Sequence, residues 1–276
     1  MVRRTLLVGI VAVAAAMVAT ATQLTGSAQA SGSAPTAPSL ASLRPVSLSH
    51  VNDPKVTNVF PGDPEFSLTT IATVGVDGFY QQYVREAEHT GTHWGAPCHF
   101  HDDEKCADQL TPADLYLHAV RIDIRAKVRD NADYQLTIAD IQQWERAHGR
   151  IPNNAAVILQ TGWDTRWGTP AYPNFDADGT MHQPGFSLAA ATWLIQTGRL
   201  GERGALGADT FGPDPGTDET YSVSSLVFHR SRIDLENLTN LDALPAQGAW
   251  ILVGGPINRH GSGSTATIWG LVPPAK

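Results

Sequence analysis

The sequence of 276 residues is short of cysteine and of basic residues. Cys98 and Cys106 are its only cysteines, so at most one disulfide bond can form within the chain. The 19 Lys and Arg residues are outnumbered by 27 Asp and Glu residues, which gives a formal net charge of −8. An acidic chain of this kind argues against a surface that binds nucleic acid or anionic membranes. We therefore expect no nucleic-acid partner.

The sequence also lacks internal repeats and any strong bias in composition. Hydrophobic residues make up 42% of the chain and charged residues 17%, with 25 Gly and 18 Pro. These values are ordinary for a globular protein and argue against a disordered or fibrous chain. Strand-like segments outnumber helical ones, so we predict an α/β protein with one domain, a mixed sheet and a few helices.

The first thirty residues have the pattern of a secretory signal peptide. Arg3 and Arg4 precede an apolar run over residues 6–21, and the small-residue sequence Ala-Gln-Ala closes the segment at 28–30. The alternative is an uncleaved membrane anchor, because the run is nearly long enough to span a bilayer. We expect cleavage and a secreted protein without a stable membrane anchor, and the paired arginines also permit export by the twin-arginine route. Cleavage would remove two arginines and no acidic residue, which changes the formal net charge from −8 to −10.

The remaining chain divides into a short leader and one domain. Residues 31–45 are rich in Ser, Ala and Pro and are typical of a flexible leader, so we place the domain at 46–276. A Thr137 cap and a stop at Gly149 predict one helix, and Ser187 predicts the start of another. Alternating or apolar runs predict strands at 46–49, 66–74, 84–88, 115–124, 155–159, 206–209, 250–254 and 265–271.

Three of the ten histidines fall within residues 89–100, which read HTGTHWGAPCHF. Imidazole binds zinc-like metals and titrates near neutral pH, so this density indicates metal binding or proton transfer. His89 and His93 are four residues apart and can converge on one ion. Gly91 and Pro97 argue against a helix and favour a strand end followed by a loop. The alternative is that these are structural histidines with satisfied hydrogen bonds.

The two cysteines flank the end of this histidine stretch. In an oxidising compartment, Cys98 and Cys106 can close a short loop beside His99. The alternative is a pair of buried thiols that remain unbonded, since only the separation of the two Cα atoms decides between these states.

The histidine stretch resembles the signature of the metal-dependent cyclase family, usually written H-x-G-T-H-x-D-x-P-x-H, which includes bacterial kynurenine formamidase and isatin hydrolase. The resemblance covers about residues 46–273 and implies a swivelling β/β/α cyclase-like fold and a homodimer or higher homo-oligomer. Other segments match the family in order: FPGD at 60–63, DG at 77–78, TGW at 161–163, GF at 185–186, GADT at 207–210, DPG at 214–216 and ENLTNL at 236–241.

The resemblance also implies roles for particular residues. His89 and His93 match two metal ligands, His99 matches the residue that transfers protons, and Glu236 matches the downstream carboxylate ligand. Phe60 matches a position where formamidases carry an aromatic side chain that packs on the substrate.

Several tryptophans are candidates for further walls of a substrate pocket. Trp94 lies within the histidine stretch, and we expect it to contact the substrate. Trp163 and Trp167 are weaker candidates, for which packing in the core is the alternative interpretation.

Two positions depart from the family pattern. Gly95 replaces the Asp that bridges two metal ions, and Ser224 stands twelve residues before Glu236 where the family has His. Both losses concern the second metal, so we expect one divalent ion, zinc or manganese, held by two histidines and one carboxylate. Four other residues are candidates to compensate, although each also fits a solvated loop position: His101, Asp102, Asp103 and His229.

These expectations combine into a function with two alternatives. We expect a secreted metal-dependent hydrolase that cleaves a C–N bond in a small cyclic or formylated amide, as an arylformamidase does. The metal would polarise the carbonyl and activate water, and His99 would relay the proton to the leaving nitrogen. The alternatives are a catalytically degenerate relative that binds a small molecule, and a cyclase or lyase of secondary metabolism.

Overall fold

Thirteen strands and five α-helices make up the part of the chain that the computed structural model describes, residues 40–274. The strands are β1 (Arg44–Ser47), β2 (Ser67–Ala72), β3 (Gln81–Arg85), β4 (His93–Gly95), β5 (Tyr116–Asp123), β6 (Gln135–Leu136), β7 (Ala156–Gln160), β8 (Gly185–Phe186), β9 (Arg203–Ala208), β10 (Ser231–Glu236), β11 (Gln247–Gly254), β12 (Gly263–Thr265) and β13 (Thr267–Val272). The helices are α1 (Val74–Asp77), α2 (Arg125–Asp130), α3 (Ile138–His148), α4 (Leu188–Gln196) and α5 (Ser222–Val227). Among these described helices, none has the length and apolar character needed to cross a membrane.

Nine of the strands form one mixed sheet in the order β1-β13-β11-β5-β7-β9-β10-β4-β12. Within this sheet, the four adjacent strands β5, β7, β9 and β10 run parallel to one another. Every other pair of neighbouring strands in the sheet is antiparallel. Strands β2 and β3 pair in a separate antiparallel hairpin, and β6 and β8 form a short parallel pair. This arrangement confirms the predicted α/β fold with a mixed sheet and few helices.

Strand β7 lies in the middle of the sheet and is buried on both faces. Val157 and Leu159 pack into the core that contains the helices, whereas Ala156 and Ile158 pack into a second core on the opposite face. A strand covered on both sides needs apolar residues at every position rather than at alternate ones. This explains why residues 155–159 form an uninterrupted apolar run.

The structure confirms helix α3 with both of its predicted ends. Thr137 accepts a hydrogen bond from the backbone N–H of Asp140, and the Asp140 side chain accepts one from the backbone N–H of Thr137. This reciprocal cap satisfies donors that the first turn of a helix leaves unpaired. The helix ends at His148, and Gly149 follows in a conformation with a φ of 89°.

Several observed boundaries differ from the predicted ones. The strand predicted at 84–88, for example, is β3 at Gln81–Arg85, and two further differences have a clear cause. Strand β1 begins at Arg44, inside the segment predicted as leader, because residues 44–47 pair with β13. The predicted strand at 265–271 is split at Ala266, whose N–H bonds to the carbonyl of Thr92 instead. The predicted signal peptide and most of the leader lie outside the described residues.

Candidate active site

His93 and Glu236 meet on two adjacent strands. The antiparallel register of β4 and β10 places Glu236 opposite His93 and Asp234 opposite Gly95. His93 Nε2 lies 3.1 Å from Glu236 Oε2, and both side chains line a cavity of about 550 Å³. Two predicted metal-binding residues that are far apart in sequence are therefore in contact.

The loop before β4 fixes the orientation of the His93 ring. His93 Nδ1 donates a hydrogen bond of 2.9 Å to the carbonyl of Gly91, which also accepts one of 2.8 Å from the Asn237 side chain. Because a carbonyl can only accept, Nδ1 carries the proton and Nε2 keeps its lone pair. Gly91 has a φ of 63°, and a Cβ there would collide with Asn52, so this turn requires glycine. The Gly-Thr-His part of the motif thus presents Nε2 to the cavity.

His89 and His99 complete a cluster of imidazoles beside this pair. The ring of His89 lies edge-on to that of His93 at 4.9 Å and stacks on that of His99 at 4.0 Å, measured between ring centroids. His89 Nε2 is 2.9 Å from the hydroxyl of Ser262, which in turn donates to Glu88. This contact occupies Nε2 of His89, so coordination by His89 would use Nδ1 or require the ring to leave Ser262.

Within residues 40–274, no three His, Cys, Asp or Glu side chains are already arranged as a set of metal ligands. The chemistry of the pair nevertheless fits a divalent ion. A nitrogen lone pair and a carboxylate oxygen at 3.1 Å repel each other unless a proton or a cation lies between them. Two ligands of one zinc ion with bonds of about 2.0–2.1 Å lie roughly 3.3 Å apart. Nitrogen and oxygen donors at this spacing suit zinc or manganese.

Burial controls the protonation of this cluster. It raises the pKa of Glu236 to about 8 and raises the pKa of Asp234, whose carboxyl is hydrogen-bonded to that of Glu236, well above its usual range. Burial also lowers the pKa of His89 and of His93, so both rings favour the neutral form that can bind a metal. Partial desolvation by the cavity wall, together with His93, lowers the pKa of His99, whose side chain is exposed to the cavity.

Aromatic side chains form much of the cavity wall. Phe60 lines the cavity, and its ring packs edge-on against those of Phe211 and Tyr221 at 5.4 and 6.1 Å. Phe100 and Phe175 line the cavity as well. Flat aromatic walls favour a flat apolar substrate.

The structure does not support the predicted contact between Trp94 and the substrate. Side chains alternate between the two faces of a strand, so Trp94 points away from the cavity that His93 faces. It is 1% exposed and packs in the second core. Trp163 is buried in the core with the helices, and Trp167 stacks on His50 outside the cavity lining.

The residues considered as replacement ligands for the second metal ion lie outside the cavity and form other contacts. None of His101, Asp102, Asp103 and His229 lines the cavity. His101 bonds to the carbonyl of Ser225, and His229 bonds to Glu104. Ser224 lines the cavity, but its hydroxyl donates to Asp214. The second metal therefore has no substitute histidine among the described residues.

Three acidic residues near the site were given no role from the sequence, although the matching segments 60–63 and 214–216 contain two of them. Asp63 and Asp214 line the cavity, and Asp234 lies buried behind it, with an oxygen 2.7 Å from the backbone nitrogen of Gly95. Asp234 could have been found from the period of two along β10, because it shares a face with Glu236. Asp63 and Asp214 lie in loops, where no periodicity indicates the direction of a side chain.

A disulfide bond joins Cys98 and Cys106, whose Cα atoms are 4.9 Å apart. It closes the loop that follows the 3₁₀ turn Pro97–His99. The loop is further fixed by a hydrogen bond from the N–H of Cys98 to the carbonyl of Lys105. Together these contacts restrict the backbone that carries His99.

Comparison with known proteins identifies similar chains. The model of the family described as "Putative cyclase" matches residues 46–215. The isatin hydrolase of Roseibium aggregatum is 31% identical over 221 residues, which are 77% of this chain and 83% of the relative. The structure of isatin hydrolase A from Labrenzia aggregata, bound to benzyl benzoate, is similar with a TM-score of 0.78 and 30% identity over 85% of this chain and 95% of that one. Isatin hydrolase A from Ralstonia solanacearum gives a TM-score of 0.77 and 33% identity over 84% of this chain and 93% of that one.

Proposed function

The chain belongs to the cyclase family and is a hydrolase, and on this basis we propose that it opens the ring of a small cyclic amide with the help of one divalent metal ion. The observation that carries this proposal is the contact of 3.1 Å between His93 Nε2 and Glu236 Oε2 inside an aromatic cavity. A polar pair at the base of an apolar cavity can bind the carbonyl of a substrate while the walls bind its rings.

A flat bicyclic amide is the substrate class that we propose. The similar hydrolases are named for isatin, which is a cyclic amide fused to an aromatic ring. Phe60, Phe211 and Tyr221 offer the kind of wall on which such a ring system packs. A cavity of about 550 Å³ accommodates a molecule of this size.

The reaction adds water across the amide C–N bond. A divalent ion held by His93, Glu236 and His89 would polarise the carbonyl and lower the pKa of the attacking water. The oxygen of water becomes part of a new carboxyl group, and the nitrogen keeps the electron pair of the broken bond. His99 delivers a proton to this nitrogen, so the product carries one carboxylate and one amine. His99, whose neutral form partial desolvation favours, first accepts one proton from the water, and the second proton of the water leaves to solvent when the new carboxyl group ionises.

The test of this proposal is hydrolysis of isatin by protein freed of metal and then loaded with zinc or manganese. We expect ring opening only in the loaded protein, and a loss of at least 100-fold in kcat/KM for His93→Ala. His148→Ala, at an exposed position on α3, is the matched control and should retain full activity. Turnover without metal, or unchanged turnover in His93→Ala, would contradict the proposal.

A second candidate function is a relative that binds a small molecule without cleaving it. Gly95 and Ser224, which lack the metal-binding groups of the family signature, favour this candidate. The same samples distinguish the two functions. A binding protein would take up isatin, detected by calorimetry, and leave it unchanged after metal loading.

A further inference from the structure

The space beside Gly95 is occupied by a carboxyl group from the neighbouring strand. A Cβ atom on residue 95 would lie 2.7 Å from Asp234 Oδ1 and 2.7 Å from Phe228 Cζ. Both distances are too short for real atoms, so the present packing excludes any side chain at this position. The absence of a carboxylate at 95 and the presence of one at 234 are thus sterically linked.

The register of the two strands places Asp234 on the face that carries the metal-binding pair. Asp234 is directly opposite Gly95, and Glu236 is directly opposite His93. Residues two apart on a strand share a face, so these four positions form one patch. An aspartate at 95 and an aspartate at 234 would therefore present their carboxyl groups to the same place.

Contacts with both neighbours hold the Asp234 carboxyl in this patch. The backbone N–H of Gly95 donates to Oδ1 at 2.7 Å, and the Asp234 carboxyl is hydrogen-bonded to that of Glu236. Glu236 in turn contacts His93. The chain of contacts runs from the backbone of β4 through two carboxyl groups to the imidazole.

Two carboxyl groups in contact are costly when buried. Asp234 is 2% exposed, and no Lys or Arg side chain is paired with it or with Glu236 in the described residues. Carboxylate oxygens grouped in this way are ligands that divalent ions take in proteins.

We infer that Asp234 supplies, from strand β10, the carboxylate that Gly95 removes from β4, and that it helps to hold the divalent ion. This inference rests on the proposed function, since it concerns the same metal site. Asp234 is paired across the sheet with the position that lacks the carboxylate. Asp234 would then stand beside His93 and Glu236 as a further oxygen donor to the ion.

The experiment measures the affinity of the full chain for Zn²⁺ and Mn²⁺ by competition with a chromogenic chelator. Asp234→Asn keeps the size of the side chain and its acceptor for the Gly95 N–H. We expect this change to weaken metal binding by at least about 10-fold. Asp114→Asn, which alters a buried carboxylate bonded to Thr111 outside the cavity, should bind metal as the wild type does.

Thermal unfolding provides a second readout that a purely structural role would not reproduce. Without metal, Asp234→Asn should unfold at the wild-type temperature or above it, because a costly buried carboxyl is gone. The rise in Tm that saturating metal gives the wild type should be much reduced in the variant. Metal affinity and metal-induced Tm shift equal to those of the wild type would overturn the inference while leaving the proposed function intact. Wild-type protein that binds neither Zn²⁺ nor Mn²⁺ would overturn both the inference and the proposed function.

Discussion

At the scale of single residues, the site depends on side chains that are oriented by the backbone before any ligand arrives. The carbonyl of Gly91 fixes the tautomer of His93, and Asn237 fixes that carbonyl. Asn237 is itself held by a hydrogen bond of 2.7 Å from the Tyr172 hydroxyl. Ring orientation and protonation state are thus set by neighbours that never touch the substrate, as is common around metal ligands.

His99 provides the first prediction at this scale. His99→Ala should lower kcat by about 100-fold or more, since a positioned acid or base contributes 10²–10⁴-fold, while metal content stays at the wild-type level. The comparison is single-turnover kinetics alongside metal analysis of the same samples. His99→Ala with wild-type turnover would exclude the role in proton transfer, and loss of the metal would reassign His99 as a ligand.

At the scale of elements, helix α3 is stabilised by its capping aspartate. Burial acts to raise the pKa of Asp140, but hydrogen bonds from Lys127, Tyr134 and Thr137 outweigh it and lower the pKa to about 2. A carboxylate with a lowered pKa stabilises the folded state above its unfolded pKa of about 4. That stabilisation is lost as the pH falls through the folded-state pKa.

Asp140→Asn tests this interaction. It should lower the free energy of unfolding at pH 7 by about 1 kcal/mol, a value reduced for solvent screening at the exposed partner Lys127. The difference from the wild type should shrink as the pH falls from about 4 to about 2, because Asp140 is then protonated. Urea unfolding at several pH values measures this, with exposed Asp103→Asn as the control. A difference that does not change with pH would show that the charge of Asp140 is not involved.

The elements also show which parts of the molecule the sequence could predict. Helix α3 carries a local signal in its capping pair, and strand β7 carries one in its uninterrupted apolar run. Both elements were predicted from these signals. The pairing of β4 with β10 joins residues 139 apart in sequence, and only the folded sheet sets its register. The direction of Trp94 follows from the same register, which is why its predicted role in the cavity was wrong. The family resemblance placed Glu236 near the histidines, but it gave no reason to consider Asp234.

At the scale of the whole molecule, the β2–β3 hairpin is the most exposed apolar part of the described chain. All five residues of β3 are exposed, and Ile71, Phe79 and Tyr83 are 56%, 55% and 60% exposed. Apolar hairpins of this kind commonly pack against another chain. The homodimer or higher oligomer expected from the family resemblance remains a prediction.

The disulfide bond is relevant to the cellular compartment of the protein. A bond between Cys98 and Cys106 persists in an oxidising compartment and is rare in the cytosol. Secretion after removal of residues 1–30 remains a prediction from the sequence, and the disulfide is consistent with it.

The measurement that tests the central claim most directly is a titration of metal-free protein with zinc or manganese while the hydrolysis of isatin is followed. A site with one metal predicts that activity rises in proportion to added ion and levels off at one ion per chain. Because Ser224 replaces the histidine of the second site and neither His101 nor His229 substitutes for it, further metal should add no activity. Activity that levels off at two ions per chain, or that is already present without metal, would contradict the account.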